Sequence, residues 1–309
     1  MLTVHCPATS MARLLVFNDF HLHGASAPEW EQCYSQLSAG NMRSTLVGTA
    51  TAGLHIFRKW MSARVAQQGC LPAGQRCFAL LGATGAGQPW MQGRLLDTGA
   101  VLQLRAGEQF LLQRPAGMEL LACSFGAEDF RLLLHERPWS PGAMALLGRP
   151  SVQAPSSNIV QLIAVLRGKP SPASVFAELT NLFEAAAHPA LRVGDASAAY
   201  LVAECHRRML ATPHAPLRVD QLCDQLRVSR RSLQNAFRQV ADTTPVDYLR
   251  SLRLNYARRR LTSMDKDLMS ISQAATDAGF EHMGHFATRY RRLFAERPSQ
   301  TQRTGVLPA

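Results

Sequence analysis

The chain has 309 residues, of which 47% are hydrophobic and 18% are charged, so it is long enough for two domains and lacks the composition of a disordered protein. Its seven cysteines form no CxxC pair, and no apolar run approaches the roughly 20 residues that a membrane-spanning helix needs. These features predict a cytoplasmic protein with reduced thiols and no membrane partner.

Short apolar runs separated by Gly and Pro characterise residues 10–150. They include LVGTATAGLHIF, RCFALLG, AVLQLRAG, EQFLLQRPAG and MELLACSFG. Closely spaced runs with such punctuation predict an antiparallel β sandwich or barrel. One segment departs from this pattern, because the spacing of Trp30, Tyr34 and Leu37 in PEWEQCYSQLSAG predicts a helix.

From residue 156 the apolar period becomes helical. SSNIVQLIAVLRG places Ile159, Leu162 and Ile163 on one helix face after a Ser cap, and SPASVFAELTNLFEAAAHP has the same character. We therefore divide the chain into a β-rich domain at 1–155, a helical connector and candidate dimerisation region at 156–194, and a helical domain at 195–309.

Positive charge is concentrated in the last third of the chain. The formal net charge is +11, and residues 196–309 contain 18 Lys and Arg against 10 Asp and Glu, a net of +8. All but one of these 18 cations are Arg, whose planar guanidinium group matches phosphates and guanine edges. A polyanionic partner is the first hypothesis, and a basic face that only meets solvent is the alternative.

The helical domain contains the same layout twice. RVDQLCDQLRV and SISQAATDAGF are short amphipathic helices, and each precedes a longer basic helix, SRRSLQNAFRQV or HMGHFATRYRRL. A short helix, a tight turn and a second helix form the helix-turn-helix plan. The second copy has one extra residue in its turn, near Gly279, where glycine suits a left-handed helix C-cap.

Each longer helix separates an apolar face from a polar one that is suited to DNA. The residues predicted to read base edges are Arg231, Gln234, Asn235, His282, His285 and Thr288. Those predicted to contact phosphate are Arg230, Arg238, Arg258, Arg289 and Arg292. The helix predicted between the modules is about 27 Å long, which is close to the 34 Å turn of B-DNA and would place both readers on one DNA face.

The segments VSRRSLQNAFRQV, LRLNYARRRL and AATDAGFEHMGHFATRYRRLF resemble the DNA-binding domain of the AraC/XylS family of bacterial transcription regulators. The resemblance implies an α+β multidomain fold, with a cupin-like sensor domain before an all-α double helix-turn-helix domain. It implies double-stranded DNA, RNA polymerase and a small-molecule effector as partners, with activation as the expected effect. The sequence departs from many members at Glu296, where they have Gly.

A narrower resemblance, to regulators of ethanolamine-utilisation operons, is carried by SRRSLQNAF, RLNYARRRL, HFATRYRRLFAERPS, WEQCYSQLSAG and GLHIFRKW. It implies ethanolamine and adenosylcobalamin as candidate effectors, and we expect no other cofactor. The same scaffold also accommodates a different effector, or a vestigial sensor that serves only for dimerisation.

A metal-dependent cupin enzyme fused to a DNA-binding domain is the alternative from another functional class. His21 and His23 in FHLHG alternate as metal-binding cupin histidines do on a strand, but no second cupin motif surrounds His55. We therefore expect no metal, no catalytic residue and no enzyme activity. Five aromatic residues are candidates either for an effector pocket or for ordinary core packing: Trp30, Phe57, Trp60, Phe78 and Trp90.

Overall fold

The computed structural model describes residues 13–51, 53–82, 87–96, 99–168, 170–187, 197–211, 217–265 and 268–303. The strands are β1 Arg13–Phe17, β2 Cys33–Gln36, β3 Ser44–Thr51, β4 Leu54–Met61, β5 Val65–Cys70, β6 Gln75–Leu81, β7 Trp90–Met91, β8 Arg94–Leu95, β9 Ala100–Arg105, β10 Gln109–Arg114, β11 Glu119–Gly126 and β12 Ser151–Gln153. The helices are α1 Phe20–Ala25, α2 Ala127–Glu136, α3 Pro141–Leu146, α4 Ser156–Arg167, α5 Pro172–Ala186, α6 Ser197–Ala211, α7 Val219–Leu226, α8 Arg230–Ala241, α9 Pro245–Ser263, α10 Ile271–Asp277 and α11 Met283–Phe294. No helix within these ranges has both the length and the apolar character to cross a membrane.

Two antiparallel sheets form the β-rich half, as the sequence predicted. The larger has the order β1-β3-β4-β11-β6-β9-β12, and the smaller has the order β2-β5-β10-β7-β8. Strand β6 shows why the predicted alternation was imperfect. Cys77 and Ala79 point into the sandwich core, whereas Phe78 and Leu80 point into a second core that includes residues of α2 to α5. Because both faces of this strand are buried, its sequence is almost continuously apolar.

Helices α4 and α5 agree with the helical periodicity read from the sequence. They pack on each other and on the larger sheet, where Leu162, Val175 and Phe183 are buried beside Phe78 and Trp139. Helices α2 and α3, which the sequence reading placed in a β region, lie in the same layer. The boundary predicted at residue 195 lies outside the described residues.

Two local predictions near the N-terminus are wrong. Residues 28–40 form a short 3-10 turn at Pro28–Trp30 and then strand β2, which pairs with β5. The spacing of four between Trp30 and Tyr34 is even, so it fits one face of a strand as well as a helix. Residues 20–24 belong to helix α1 and not to a strand, because the Asp19 side chain accepts a hydrogen bond from the backbone N–H of His21, 2.7 Å away, and caps the helix.

The C-terminal helices α6 to α11 enclose two separate apolar cores. The first contains Leu233 and Phe237 of α8, and the second contains Phe286 and Tyr290 of α11. Helix α9 contributes to both, since its first half supplies residues such as Leu252 to one core and its second half supplies residues such as Leu261 to the other. The 19-residue α9 therefore joins two small helical units along one continuous helix, about 28 Å long.

Candidate nucleic-acid interface

The two turns that position the longer helices have the same backbone geometry. Arg227 ends α7 with φ 54°, and Gly279 follows α10 with φ 75°, so both lie in the left-handed region. In each unit the next residue donates a backbone hydrogen bond five residues back, from Val228 to Cys223 at 3.0 Å and from Phe280 to Ala275 at 2.9 Å. This pairing is the Schellman motif. The two copies predicted from the sequence therefore share the backbone geometry of the turn as well as the apolar spacing.

Helix α8 exposes the polar face that the sequence assigned to base reading. Ser229 caps the helix, and its Oγ accepts a hydrogen bond from the backbone N–H of Ser232 at 3.0 Å. The side chains of Arg231, Gln234 and Asn235 are all exposed, whereas the opposite face is buried in the first core.

Helix α11 has the same division of faces but a different beginning. His282 occupies the N-cap position, where its side chain makes no capping hydrogen bond. His282, His285 and Thr288 are exposed, and the two imidazole rings lie 6.0 Å apart. Phe286 is fully buried on the other side. All six predicted base-reading residues thus lie on the exposed surfaces of α8 and α11.

Four of the five arginines predicted to contact phosphate lie on the surfaces of the same two helices. Arg230, Arg238 and Arg292 are exposed, and Arg289 is partly buried. Arg230 also forms an ion pair with Asp220 across the turn, which fixes the start of α8 relative to α7.

Arg258, the fifth arginine predicted to contact phosphate, lies on α9 and is mostly buried, contrary to that prediction. Its Nε is 2.7 Å from Asp19 Oδ2, and its Nη1 is 2.7 Å from Glu296 Oε1, with only 15% of the side chain exposed. Burial disfavours its charge, but the two carboxylates outweigh burial and raise the pKa of Arg258. This guanidinium is already occupied by carboxylates and is not free to meet a phosphate in this conformation.

Glu296, the departure from the family pattern, is part of the Arg258 cluster. Its Oε1 accepts hydrogen bonds from Arg258 and from Thr301 Oγ1, the latter at 2.8 Å. The left-handed backbone expected of a glycine lies one residue earlier, at Ala295, with φ 58°. Glu296 therefore supplies a charged contact within the C-terminal domain and does not occupy the left-handed position.

Strand β2 joins the β sandwich to the C-terminal helices, a contact that no local sequence pattern predicted. The backbone N–H of Gln36 donates to Asn255 Oδ1 at 2.9 Å, and Asn255 Nδ2 donates to the Gln36 carbonyl at 2.8 Å. The Gln36 side chain also donates to the carbonyl of Leu293 at the end of α11. Arg64 donates to the Ala241 carbonyl and pairs with Asp242 at the end of α8. The C-terminal ends of α8 and α11 are thus held by the β-rich half.

The five aromatic candidates have different environments. Trp30 and Phe57 line a cavity inside the sandwich, together with Lys59. Phe78 packs in the core against the helical layer, Trp90 packs in the core of the first helix-turn-helix unit, and Trp60 is half-buried.

The two N-terminal histidines do not alternate along a strand as the metal-binding cupin reading required. His23 is buried, with Nδ1 2.7 Å from Ser44 Oγ, and burial followed by the charges of Lys59 and Arg114 lowers its pKa to about 2. His21 and His23 are two apart on a helix and so point in different directions. The described residues contain no group of three or more His, Cys, Asp or Glu able to hold a metal ion.

Residues 222–304 match the family model of a helix-turn-helix domain. Over 83 residues the chain is 39% identical to the XylDLEGF operon transcriptional activator 2 of Pseudomonas putida, a match that covers 27% of this chain and 53% of that protein. The C-terminal region contains a helix-turn-helix domain.

Further relatives match this helix-turn-helix region. The HTH-type transcriptional regulator CdhR of Pseudomonas aeruginosa is 38% identical over 93 residues, covering 30% of this chain and 26% of that protein. A solved transcriptional regulator with an AraC-type DNA-binding domain from Chromobacterium violaceum is 32% identical, covers 35% of this chain and 94% of that chain, and has a TM-score of 0.32. The chain spans about half or less of the length of these curated relatives.

Proposed function

We propose that this chain is a sequence-specific DNA-binding transcription regulator that inserts α8 and α11 into successive major grooves. One observation carries the proposal: two units, each with a Schellman turn, expose basic and polar helix faces, and one continuous helix joins them. The relatives described above are a transcription activator and a transcription regulator, which supports the same function.

Within this proposal the two recognition helices divide their residues between base edges and phosphates. Base reading falls to the exposed residues Arg231, Gln234, Asn235, His282, His285 and Thr288. Phosphate contact falls to Arg230, Arg238, Arg289 and Arg292. Arg258 is left out, because it holds the β-rich half against the C-terminal half.

The β-rich domain at 1–155 is proposed to sense a small molecule and to activate transcription through RNA polymerase. The hydrogen bonds between Gln36 and Asn255 favour transmission through β2 directly to α9. We assign residues 156–194 to dimer contacts. In support, Val160 on α4 is an apolar side chain that is 62% exposed. A homodimer would bring four recognition helices to one operator.

Ethanolamine with adenosylcobalamin is the effector pair that the narrower resemblance supports. The two recognition helices and the segments around β2 and β4 carry that resemblance. Titration of each compound into the full-length protein on DNA tests the pair directly. If neither compound changes the affinity at fixed salt, another effector is required.

The DNA-binding proposal is tested with the full-length protein and a labelled fragment from upstream of its own gene. An equally long duplex of random sequence serves as the control. We expect the specific fragment to bind at least a thousandfold more tightly at physiological salt, within the range of specific regulators. Equal affinity for both duplexes would reduce the C-terminal half to a non-specific basic domain.

A further inference from the structure

The exposed faces of α8 and α11 differ in one chemical property, which is the presence of histidine. The face of α8 carries Arg231, Gln234 and Asn235, and these residue types do not change their charge between about pH 5 and pH 8. The face of α11 carries His282 and His285, and histidine is the residue type whose charge ordinarily changes in that range. Of the two faces, that of α11 therefore has the chemistry to couple DNA binding to protons.

The two imidazoles form an exposed pair at the start of α11. Their ring centres lie 6.0 Å apart, and the ring planes are inclined at 62°. His282 occupies the N-cap position without capping the helix, whereas Ser229, at the same position of α8, accepts a hydrogen bond from the backbone of Ser232. Neither histidine takes part in any ion pair within the described part of the chain. Both side chains can therefore meet an external group.

The charged neighbours of this pair along the chain make the same face attractive to an anion. Arg289 lies four residues after His285, and Arg292 continues that face toward the end of α11. Glu281 precedes the N-cap residue and is exposed. The polar face of α11 is therefore a row of two imidazoles and two guanidinium groups, with one carboxylate beyond its first member.

Charged groups on the elements that pack against α11 are engaged elsewhere. Asp277 at the end of α10 lies 3.0 Å from Arg260 of α9, and Arg258 of α9 is held by the two carboxylates described above. Arg259 acts on a buried histidine of the first unit. Arg297 follows the opposite end of α11. A phosphate that approached the start of α11 would therefore add a charge that these groups do not already supply.

The residue between the two histidines leaves room for such an approach. Gly284 lies within α11, where glycine is less favourable than alanine, and its φ is not in the left-handed region. A Cβ built at this position would meet no atom within 4 Å beyond its chain neighbours and its own helix backbone. Neither packing nor backbone conformation accounts for this glycine among the described residues. Close approach of a ligand to the backbone would account for it.

We propose that His282 and His285 contact DNA in their protonated form, so that α11 takes up protons when it binds. The inference rests on the proposed DNA-binding function and assigns a property to the second unit alone. A protonated imidazole has two N–H donors and no acceptor, so it matches phosphate oxygens and the acceptors of purine edges. The negative charge of DNA favours this form. Because the complex then holds more protons than the separate molecules, the affinity rises as the pH falls.

The test measures the affinity of the full-length protein for its own upstream fragment at two pH values and one ionic strength. We expect binding to be at least about tenfold tighter at about pH 6 than at about pH 8. Calorimetry in two buffers that differ in protonation enthalpy counts the protons directly, and we expect uptake of about one to two per chain. Footprints should lose the segment bound by α11 at the higher pH and retain the segment bound by α8.

The variant that combines His282→Gln with His285→Gln keeps exposed polar side chains and should lose both the pH dependence and the proton uptake. The control His135→Gln removes an exposed histidine from α2 and should retain both. Specific binding that is equal at the two pH values, or a pH dependence that survives in the double variant, would overturn the inference alone. A random duplex of equal length is titrated in parallel, and equal affinity for it at both pH values would overturn the proposed function as well.

Discussion

The two helix-turn-helix units have the same turn but different attachments to the rest of the molecule. The core around α8 includes Trp90 of β7 and packs against Leu37, both from the β-rich half. Among the described residues, the core around α11 is formed by C-terminal ones, from Leu254 to Phe294. The first unit is therefore built into the β-rich half, whereas the second is held to it mainly by polar contacts of Gln36 and Arg258. The two units share the Schellman turn and an exposed polar helix face but differ in their anchoring.

Removing the central aromatic side chain from each core should have the largest effect on stability and should show whether the two units are anchored differently. Phe237→Ala and Phe286→Ala each delete a fully buried ring, and we expect each to lower the local free energy of unfolding by about 3–5 kcal/mol. Hydrogen exchange should then rise around α8 and β7 in Phe237→Ala, but only in the C-terminal unit in Phe286→Ala. Faster exchange of β7 in Phe286→Ala would contradict the separate anchoring.

Two substitutions on α8 should separate base reading from phosphate contact. Asn235→Ala should cost about 1–3 kcal/mol against the specific site alone and relax preference at one base position. Arg238→Ala should weaken specific and random duplexes alike and reduce the salt slope by about one. Both affinities are measured by anisotropy over a range of salt concentrations. Equal losses on both duplexes for both variants would refute the division of roles.

Acid should weaken the first unit through His206, whose Nδ1 lies 2.8 Å from the Tyr248 hydroxyl. Burial, followed by the charge of Arg259, lowers the pKa of His206 from 6.5 to about 3. The unfolded chain therefore binds the proton first, so stability that is complete above pH 6.5 is lost as the pH falls toward 3.

Relative to His206→Gln, the protein should lose about 2 kcal/mol of unfolding free energy between about pH 7 and pH 5. Urea titrations of the two proteins at both pH values measure this difference. His206→Gln keeps a polar side chain near Tyr248 and is the matched control. A difference that stays constant over this range would show that His206 is not held neutral.

Substitutions at the two turn residues should have the smallest effects on the free energy of unfolding. Gly279→Ala should lower it, whereas Arg227→Gly should not. Gly279→Ala places a side chain at φ 75° and should destabilise the second unit by about 1 kcal/mol. Arg227→Gly relieves the same strain in the first unit, at φ 54°, and should be neutral or stabilising by a few tenths of a kcal/mol. Chemical denaturation of both variants tests whether the two turns are equivalent.

Local sequence patterns predicted α8 and α11 well because the signals that define these helices lie within a few residues of one another. The apolar spacing, the cap at Ser229 and the glycine at 279 act within a few residues of one another. The same reasoning failed for β2, where a spacing of four fits both a strand and a helix, and for α1, where a spacing of two suggested a strand although the cap at Asp19 begins a helix.

The contacts between the two halves of the chain could not be predicted locally. Gln36 and Asn255 are 219 positions apart, and nothing in either segment identifies the partner. Arg258, Arg259 and Arg260 look alike in sequence, yet Arg258 binds Asp19 and Glu296, while Arg260 binds Asp277. Which arginine faces solvent is decided by tertiary packing.

Footprinting of the full-length protein on its own upstream DNA tests the central claim most directly. Two readers on one rigid helix predict two protected major-groove segments on one face of the duplex, about 10 base pairs apart. Insertion of about half a helical turn between the segments should remove one of them, and Phe286→Ala should remove the same one. A single protected segment that is indifferent to the insertion would contradict the bipartite account.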